Sequence, residues 1–227
     1  GSLAWSSRMR ILADVCEGMA VLHERHNLIH RDLKSPNVLC ATENGVLRAK
    51  IADFGIARLC SSSSSASRRV SVDVSTTTQQ QHPQQGEMTS NIGSPLWMAP
   101  ELCDSKRVKM YTRAVDVYSF GIVMYEVSEL CRPWSHVNLR FSHQILDLVV
   151  KGERPQIKNE RDKPKWYIDL MKRCWHQDPT RRPAFKFIAK EFTLCFPKLG
   201  SMDIIIPPPS PTSQFVSPPP SKDEEEV

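Results

Sequence analysis

Glycine is scarce in this sequence of 227 residues, and the glycines that occur are scattered. None of the nine falls at G-x-G spacing, so the sequence lacks a glycine-rich turn that wraps phosphate groups with its backbone. The seven cysteines are odd in number, widely spaced and without a C-x-x-C pair, which argues against a disulfide framework and against a zinc ribbon. Such cysteine usage fits a reducing compartment best.

Signals for secretion and for membrane insertion are also missing. No asparagine begins an N-x-S/T sequon, no apolar run reaches membrane-spanning length, and the first residues lack the charged-then-apolar pattern of a signal peptide. We therefore expect no membrane segment and a cytoplasmic location, with the nucleus as the alternative. The net charge of +5 comes from scattered Lys and Arg without an interleaved aromatic platform, which argues against a nucleic-acid partner.

Hydrophobic periodicity predicts a mostly helical body, which the chain is long enough to bury. Helices are predicted over 5–23, 114–130, 141–151, 165–177 and 183–196, and two short strands are predicted around the turn signal Glu43-Asn44-Gly45. The Ser, Thr and Gln-rich stretch from about 61 to 90 cannot bury enough apolar area to offset its chain entropy, so a disordered loop is predicted there. Residues 200–227 are rich in proline and then acidic, which predicts a disordered tail.

Three motifs that follow one another along the chain indicate a catalytic function. They run from His30 to Asn37 (HRDLKSPN), from Asp53 to Gly55 (DFG) and from Trp97 to Glu101 (WMAPE). Together they resemble the catalytic half of a protein kinase. Lys34 favours the serine/threonine type over the tyrosine type, and the flanking stretches 93–101 and 173–183 are similar to the tyrosine-kinase-like group.

Phosphoryl transfer requires metal ligands, a group that takes or orients the substrate hydroxyl proton, and cations near the transferred phosphate. The resemblance implies that Asp32 is the catalytic carboxylate and that Lys34 contacts the phosphate of ATP. It also implies that Asn37 and Asp53 hold Mg²⁺, a hard ion that prefers oxygen ligands. Leu39 is a further expected contact to the nucleotide.

The resemblance also implies regulatory and substrate-facing positions. Arg31 would receive a phosphate on the activation segment, because a doubly charged ester orders a loop through charge-assisted bonds to arginine. Thr89 and Ser90 are the favoured phosphorylation sites, modified by an upstream kinase or by the protein itself, since they lie closest to the substrate-binding end. Ser94 would steady the catalytic Asp and Lys, and Trp97 would lie beside the protein substrate.

Five further positions resemble structural residues of the family. His30 and Phe54 would stack in an apolar spine, Asp116 would anchor the backbone around His30, and Glu101 would pair with Arg182 in an ion pair.

A competing interpretation groups His23, His26 and His30 as a metal site. It is less favoured, because the spine would use one of them and the sequence places no carboxylate to orient the others.

The resemblance covers residues 1–199 and implies a partial kinase domain with the insert at about 61–90. The expected fold class is a mostly α, kinase-like C-terminal lobe with a small β-hairpin near the catalytic loop. An N-terminal β-rich lobe is expected to be absent, since no G-x-G turn and no lysine-bearing strand precede the first helix. On this interpretation the chain is a serine/threonine kinase represented by its catalytic lobe only, with little activity by itself. The alternative is a non-catalytic module that presents its groove to partners and its tail to a Pro-motif-binding domain.

Overall fold

The computed structural model describes residues 3–60, 94–103, 112–138, 141 and 144–195. The predicted insert at 61–90, with Thr89 and Ser90, and the predicted tail at 200–227 lie outside these residues. The described parts form six α-helices and four β-strands, joined by loops and short 3-10 turns. The helices are α1 (Trp5–Glu24), α2 (Pro100–Cys103), α3 (Arg113–Glu129), α4 (Gln144–Val150), α5 (Lys165–Cys174) and α6 (Phe185–Cys195), and the strands are β1 (Leu28–Ile29), β2 (Val38–Glu43), β3 (Val46–Ile51) and β4 (Arg58–Leu59).

The central helix α3 is buried on most of its sides, as its nearly continuous apolar sequence predicts. It packs against α1, α5 and the turn at Pro95–Trp97. The ring of Phe120 lies edge-on to those of Phe185 and Phe192 in α6, at centroid distances of 5.4 and 6.4 Å. Because α3 touches so many elements, polar side chains along it can reach several parts of the chain.

The predicted hairpin is confirmed. Strands β2 and β3 pair antiparallel from Val38 with Ile51 to Glu43 with Val46. At the turn, Asn44 and Gly45 have φ values of 51° and 77°, the left-handed backbone that a two-residue hairpin turn requires.

A second sheet joins β1 to β4, where Leu28 pairs with Leu59. Asn27 extends this pairing, because its carbonyl accepts from the N–H of Cys60 (2.7 Å) and its side-chain amide donates to the carbonyl of Cys60 (3.0 Å). The sequence analysis did not predict this sheet, since strands of two residues are too short to show alternation.

The predicted class, a mostly α lobe with one hairpin, is corrected by this arrangement, which is mixed α/β with two sheets. The helix ends also differ from those predicted. The fourth helix begins at Gln144 instead of 141, and the fifth ends at Cys174 instead of 177. Among the described residues, no helix combines the length and apolar character needed to cross a bilayer.

Candidate active site

The loop that carries the HRD motif is fixed to the start of α3 by one buried carboxylate. Asp116 accepts hydrogen bonds from the backbone N–H of His30 and of Arg31, each at 2.8 Å, through different oxygens. The ring of His23 in α1 lies 2.8 Å from the same carboxylate. These contacts satisfy a charge that would be costly to bury alone, and they support Arg31 in a left-handed conformation with φ of 72°.

Asp32 lies in a compact polar set with Lys34 and Ser94. Lys34 Nζ lies 2.6 Å from Asp32 Oδ2 and 2.9 Å from Ser94 Oγ. The backbone N–H of Ser94 points to Asp32 Oδ1 at 3.4 Å. Asp32 keeps 14% of its side chain exposed and Lys34 keeps 19%, so both remain within reach of a substrate. The structure thus brings residues 32, 34 and 94 together.

Asn37 and Asp53 lie on neighbouring stretches of backbone. The side-chain nitrogen of Asn37 donates to the carbonyl of Asp32 (2.8 Å) and to its carboxylate (3.3 Å), so the nitrogen end of the amide faces the loop. The N–H of Ala52 donates to the backbone carbonyl of Asn37 at 2.9 Å, which places Asp53 one residue away. Asp53 is exposed, has a φ of 63° and accepts from the N–H of Gly55 at 3.4 Å.

The donor set at these positions fits Mg²⁺. A carboxylate and an amide oxygen are hard ligands, and Mg²⁺ is commonly held by one or two such side chains together with phosphate oxygens and water. A histidine site is not favoured, because no cluster of three or more His, Cys, Asp and Glu suited to a metal occurs in the described part of the chain. The expectation that no carboxylate orients His23 is wrong, since Asp116 contacts its ring.

The remaining predicted positions surround this centre. The rings of His30 and Phe54 lie 5.2 Å apart, and His30 Nε2 is 3.1 Å from the carbonyl of Ala52. Arg31 donates to the carbonyl of Ile56 at 3.1 Å. The side chain of Leu39 projects from β2 and is exposed.

Glu101 and Arg182 form the predicted contact. Arg182 donates two bonds to the carboxylate at 2.7 and 2.8 Å, and its buried side chain also donates to the carbonyls of Ala114 and His176. The guanidinium lies 5.1 Å from the ring centroid of Tyr118, whose pKa is raised by burial. This pair connects α2 to the beginning of α3 and to the turn before α6.

One functional candidate was missed by the sequence analysis. Glu126 in α3 accepts from Ser35 Oγ through Oε1 (2.8 Å) and from the indole Nε1 of Trp97 through Oε2 (2.7 Å). Partial burial raises the pKa of Glu126, and the bonds from Trp97 and Ser35 oppose part of this shift. The available signal was a carboxylate with apolar residues on both sides of it in the sequence of α3.

Oxygen ligands for a hard cation, beside a carboxylate held by a lysine, are the arrangement that phosphoryl-transferring proteins use. The model of the protein kinase domain matches residues 2–192, and the chain belongs to this family. Because that match describes a protein kinase domain over most of the chain, the predicted restriction to a mostly α C-terminal lobe is wrong.

The chain is also similar to curated proteins that are named as serine/threonine kinases. It is 31% identical over 192 residues to the probable serine/threonine-protein kinase roco8 of Dictyostelium discoideum, covering 83% of this chain and 9% of the relative. It is 36% identical to a probable LIM domain-containing serine/threonine-protein kinase of the same organism, over 82% of this chain and 23% of the relative. Against serine/threonine-protein kinase STY17 of Arabidopsis thaliana the identity is 34%, over 86% of this chain and 28% of the relative. The chain thus spans less than a third of the length of each.

Proposed function

We propose that this protein transfers the terminal phosphate of ATP to serine or threonine hydroxyls of protein substrates. The observation that carries the proposal is the set of contacts that joins Asp32, Lys34 and Ser94, with Asn37 and Asp53 on adjacent backbone. Membership of the protein kinase family supports the same activity.

Each side chain has a distinct role in this proposal. Asp32 accepts or orients the proton of the substrate hydroxyl, and Lys34, which already contacts Asp32 and Ser94, neutralises charge on the transferred phosphate. Asn37 and Asp53 hold Mg²⁺, which neutralises charge on the phosphates when bound. Leu39 offers an exposed apolar side chain to the nucleotide.

Serine or threonine is the proposed acceptor, because a lysine two residues after the catalytic Asp, as at Lys34, resembles the serine/threonine type, and this lysine contacts Asp32 and Ser94. The names of the three relatives agree with this choice. Membership of the tyrosine-kinase-like group is supported by the stretches around Trp97 and 173–183.

Control by phosphorylation is part of the proposal. A phosphate on Thr89 or Ser90, added by an upstream kinase or by the protein itself, would bind Arg31. In the structure Arg31 donates to the carbonyl of Ile56, and the phosphate would compete with this carbonyl for the Arg31 guanidinium. We also propose that the protein acts in the cytoplasm or nucleus. The proposed partner of the proline-rich stretch at 207–220 is a Pro-motif-binding domain.

The test uses the longest natural polypeptide that contains this sequence. Asp32→Asn should lower phosphate transfer to a serine/threonine peptide by about a hundredfold or more, since general-base catalysis typically contributes 10²–10⁴-fold. Asp169→Asn is the control, because Asp169 is exposed and pairs with Lys165, which is exposed and on the same helix, α5. Equal rates for Asp32→Asn and wild type, or phosphate found only on tyrosine, would overturn the proposal.

A non-catalytic binding module is the second candidate function. It is favoured by exposed apolar side chains at Leu39, Phe54 and Leu59. We accordingly propose that this polypeptide by itself transfers phosphate slowly. Peptide binding without any transfer that depends on Asp32, in the longest natural polypeptide, would favour the second candidate.

A further inference from the structure

The stretch of chain that carries Asp53 is bonded to other segments at both of its ends. At the first end, the N–H of Ala52 donates to the carbonyl of Asn37 at 2.9 Å. At the far end, the N–H of Cys60 donates to the carbonyl of Asn27 at 2.7 Å, and the side-chain amide of Asn27 donates to the carbonyl of Cys60 at 3.0 Å. Asn27 therefore bonds both backbone polar groups of the residue that ends this stretch.

The conformation of this stretch depends on the anchor at its far end. Strands β1 and β4 pair over only two residues, and so short a ladder is marginal by itself. The bond from Arg31 to the carbonyl of Ile56 is exposed to solvent. Asp53 has a φ of 63°, a left-handed backbone that a non-glycine residue keeps only where the surrounding structure holds it. If the far end loosens, the Asp53 carboxylate is no longer fixed relative to Asn37.

The oxygen of the Asn27 amide is bonded to the start of α3. Arg113, the first residue of this helix, donates from Nη2 to Asn27 Oδ1 at 2.8 Å, and its Nη1 donates to Glu24 of α1 at 3.3 Å. An amide can accept at its oxygen and donate at its nitrogen at the same time, whereas an ionised carboxylate can only accept. Asn27 thus joins Cys60 to the helix that also fixes the loop of Asp32 through Asp116.

Asparagine also suits the backbone at position 27. Its φ of 52° lies in the left-handed region, where glycine is at ease and asparagine is better tolerated than most other residues. Glycine would keep this backbone without strain, but it has no amide. Exchange of Asn27 for glycine therefore removes the side-chain bonds and leaves the path of the chain unchanged.

We propose that Asn27 is a positioning residue for the binding of Mg²⁺, because its amide fixes the far end of the stretch from Asp53 to Cys60 against α3. This inference rests on the proposed kinase function, in which Asn37 and Asp53 hold Mg²⁺. Loss of the amide should weaken the binding of Mg²⁺ together with ATP. It should leave the KM for a substrate peptide unchanged, since none of the described contacts that join Asp32 to the substrate-facing segment involves Asn27.

The experiment compares Asn27→Gly and Asn27→Asp with wild type in the longest natural polypeptide that contains this sequence. Asn27→Asp keeps the acceptor for Arg113 and replaces the donor to Cys60 by a second oxygen, so it keeps the test valid if Asn27→Gly folds poorly. Each variant should raise the Kd of Mn²⁺ in the presence of ATP by about fivefold, the equivalent of one hydrogen bond. Broadening of the Asn37 side-chain amide in NMR spectra gives this Kd. The KM for the peptide, at saturating metal and ATP, should not change.

Glu24→Gln and Glu129→Gln are the controls. Glu24→Gln weakens the exposed ion pair with Arg113 and leaves the amide at position 27 in place. Glu129 is 3% exposed and lies 2.9 Å from Lys163, so Glu129→Gln should lower stability. Neither control should change the Kd of Mn²⁺. A rise of this Kd in Glu129→Gln as large as that in Asn27→Gly would show that Asn27 acts through stability alone, and it would overturn the inference.

Amide hydrogen exchange separates this inference from the proposed function, because it requires neither metal nor transfer. The N–H groups of Ala57 and Cys60 should exchange about fivefold faster in both Asn27 variants and at the wild-type rate in Glu24→Gln. Unchanged exchange in both variants, or faster exchange with an unchanged Kd of Mn²⁺, overturns the role of Asn27. Wild-type protein that shows no transfer dependent on Asp32 overturns the proposed function and leaves the exchange result intact.

Discussion

At the scale of single residues, the donors around each carboxylate decide what that carboxylate contributes. Asp116 uses both oxygens to hold the backbone of the loop that carries Asp32. Glu101 receives both of its side-chain bonds from one guanidinium. Glu126 receives its bonds from two separate segments. The first two residues support the fold near the site, and the third connects parts of the site to each other.

Breaking the pair of Glu101 and Arg182 should be strongly destabilising. Glu101→Ala leaves the buried Arg182 guanidinium without its carboxylate, and removing one partner of a buried pair typically costs about 3–5 kcal/mol. The free energy of unfolding from urea denaturation checks this value. The exposed pair of Lys172 and Glu160 is the control, and Glu160→Ala should cost about 1 kcal/mol or less. Equal losses in the two variants would contradict this account.

The raised pKa of Glu126 gives a dependence of stability on pH with a defined sign. Because the folded state holds the proton more tightly than the unfolded chain, the group stabilises the fold most at low pH. The free energy of unfolding of wild type minus that of Glu126→Gln should fall as the pH rises from 4.5, the ordinary value, through the folded pKa. Above that pKa the difference should level off. A difference that increases with pH over the same window would show that the pKa is lowered instead.

At the scale of elements, the predictable parts of the fold are those with a local signal. The turn at Asn44-Gly45 predicts the hairpin, and the apolar run of α3 predicts its burial. The pairing of β1 with β4 has no such signal, since it joins residues about thirty positions apart through strands of two residues. The bridge of Glu126 is equally non-local, because Ser35 lies 91 positions and Trp97 lies 29 positions from it.

The close contact between α3 and the end of α5 makes Gly121 intolerant of a side chain. A Cβ at Gly121 would lie 3.0 Å from the backbone nitrogen of Trp175 and 3.1 Å from the Cβ of Cys174. Gly121→Ala should therefore lower the free energy of unfolding by about 1 kcal/mol or more, although alanine favours the helix. Thermal unfolding measures the change.

Gly18 in α1 provides the control for this substitution. A Cβ there would meet only the flexible end of Ile51, at 3.0 Å from Cδ1. Gly18→Ala should be neutral or stabilising, since helix propensity offsets the small shift of Ile51. If Gly121→Ala is as stable as Gly18→Ala, the packing of α3 against α5 is looser than described.

At the scale of the whole molecule, Asp116 ties three parts of the chain into one frame. It lies in the first turn of α3, contacts His23 of α1 and accepts from the backbone of the loop that carries Asp32. Asp116→Asn should lower the free energy of unfolding by about 2 kcal/mol or more, because an amide nitrogen would face a backbone N–H donor. Phosphate transfer should fall as well, since the loop that carries Asp32 loses its anchor.

Asp14→Asn is the control for Asp116→Asn, measured by urea denaturation. Asp14 accepts from the N–H of Ala49 and from Arg48 through the same oxygen, Oδ2, which the amide oxygen of asparagine can replace. Asp14→Asn should therefore lower the free energy of unfolding clearly less than Asp116→Asn does. If Asp14→Asn lowers the free energy of unfolding as much as Asp116→Asn does, the second oxygen of Asp116 contributes nothing to stability.

The motifs around Asp32, Asn37 and Asp53 allowed the centre of the site to be proposed from sequence, because each motif is short and contiguous. The contacts that join these motifs to one another were harder to predict from the sequence. The predicted class failed at this scale too, since a lobe was inferred from missing glycine motifs, whereas the family match runs over residues 2–192.

The central claim is that Asp32, Asn37 and Asp53 serve one metal–phosphate centre. Titration with Mn²⁺ and ATP, followed by NMR, tests it directly, because a paramagnetic ion in the place of Mg²⁺ broadens the resonances of nearby groups. The side-chain amide of Asn37 should broaden in wild type, and the effect should disappear in Asp53→Asn while the indole of Trp97 keeps its position. Broadening that leaves Asn37 untouched, or that persists unchanged in Asp53→Asn, would contradict the account.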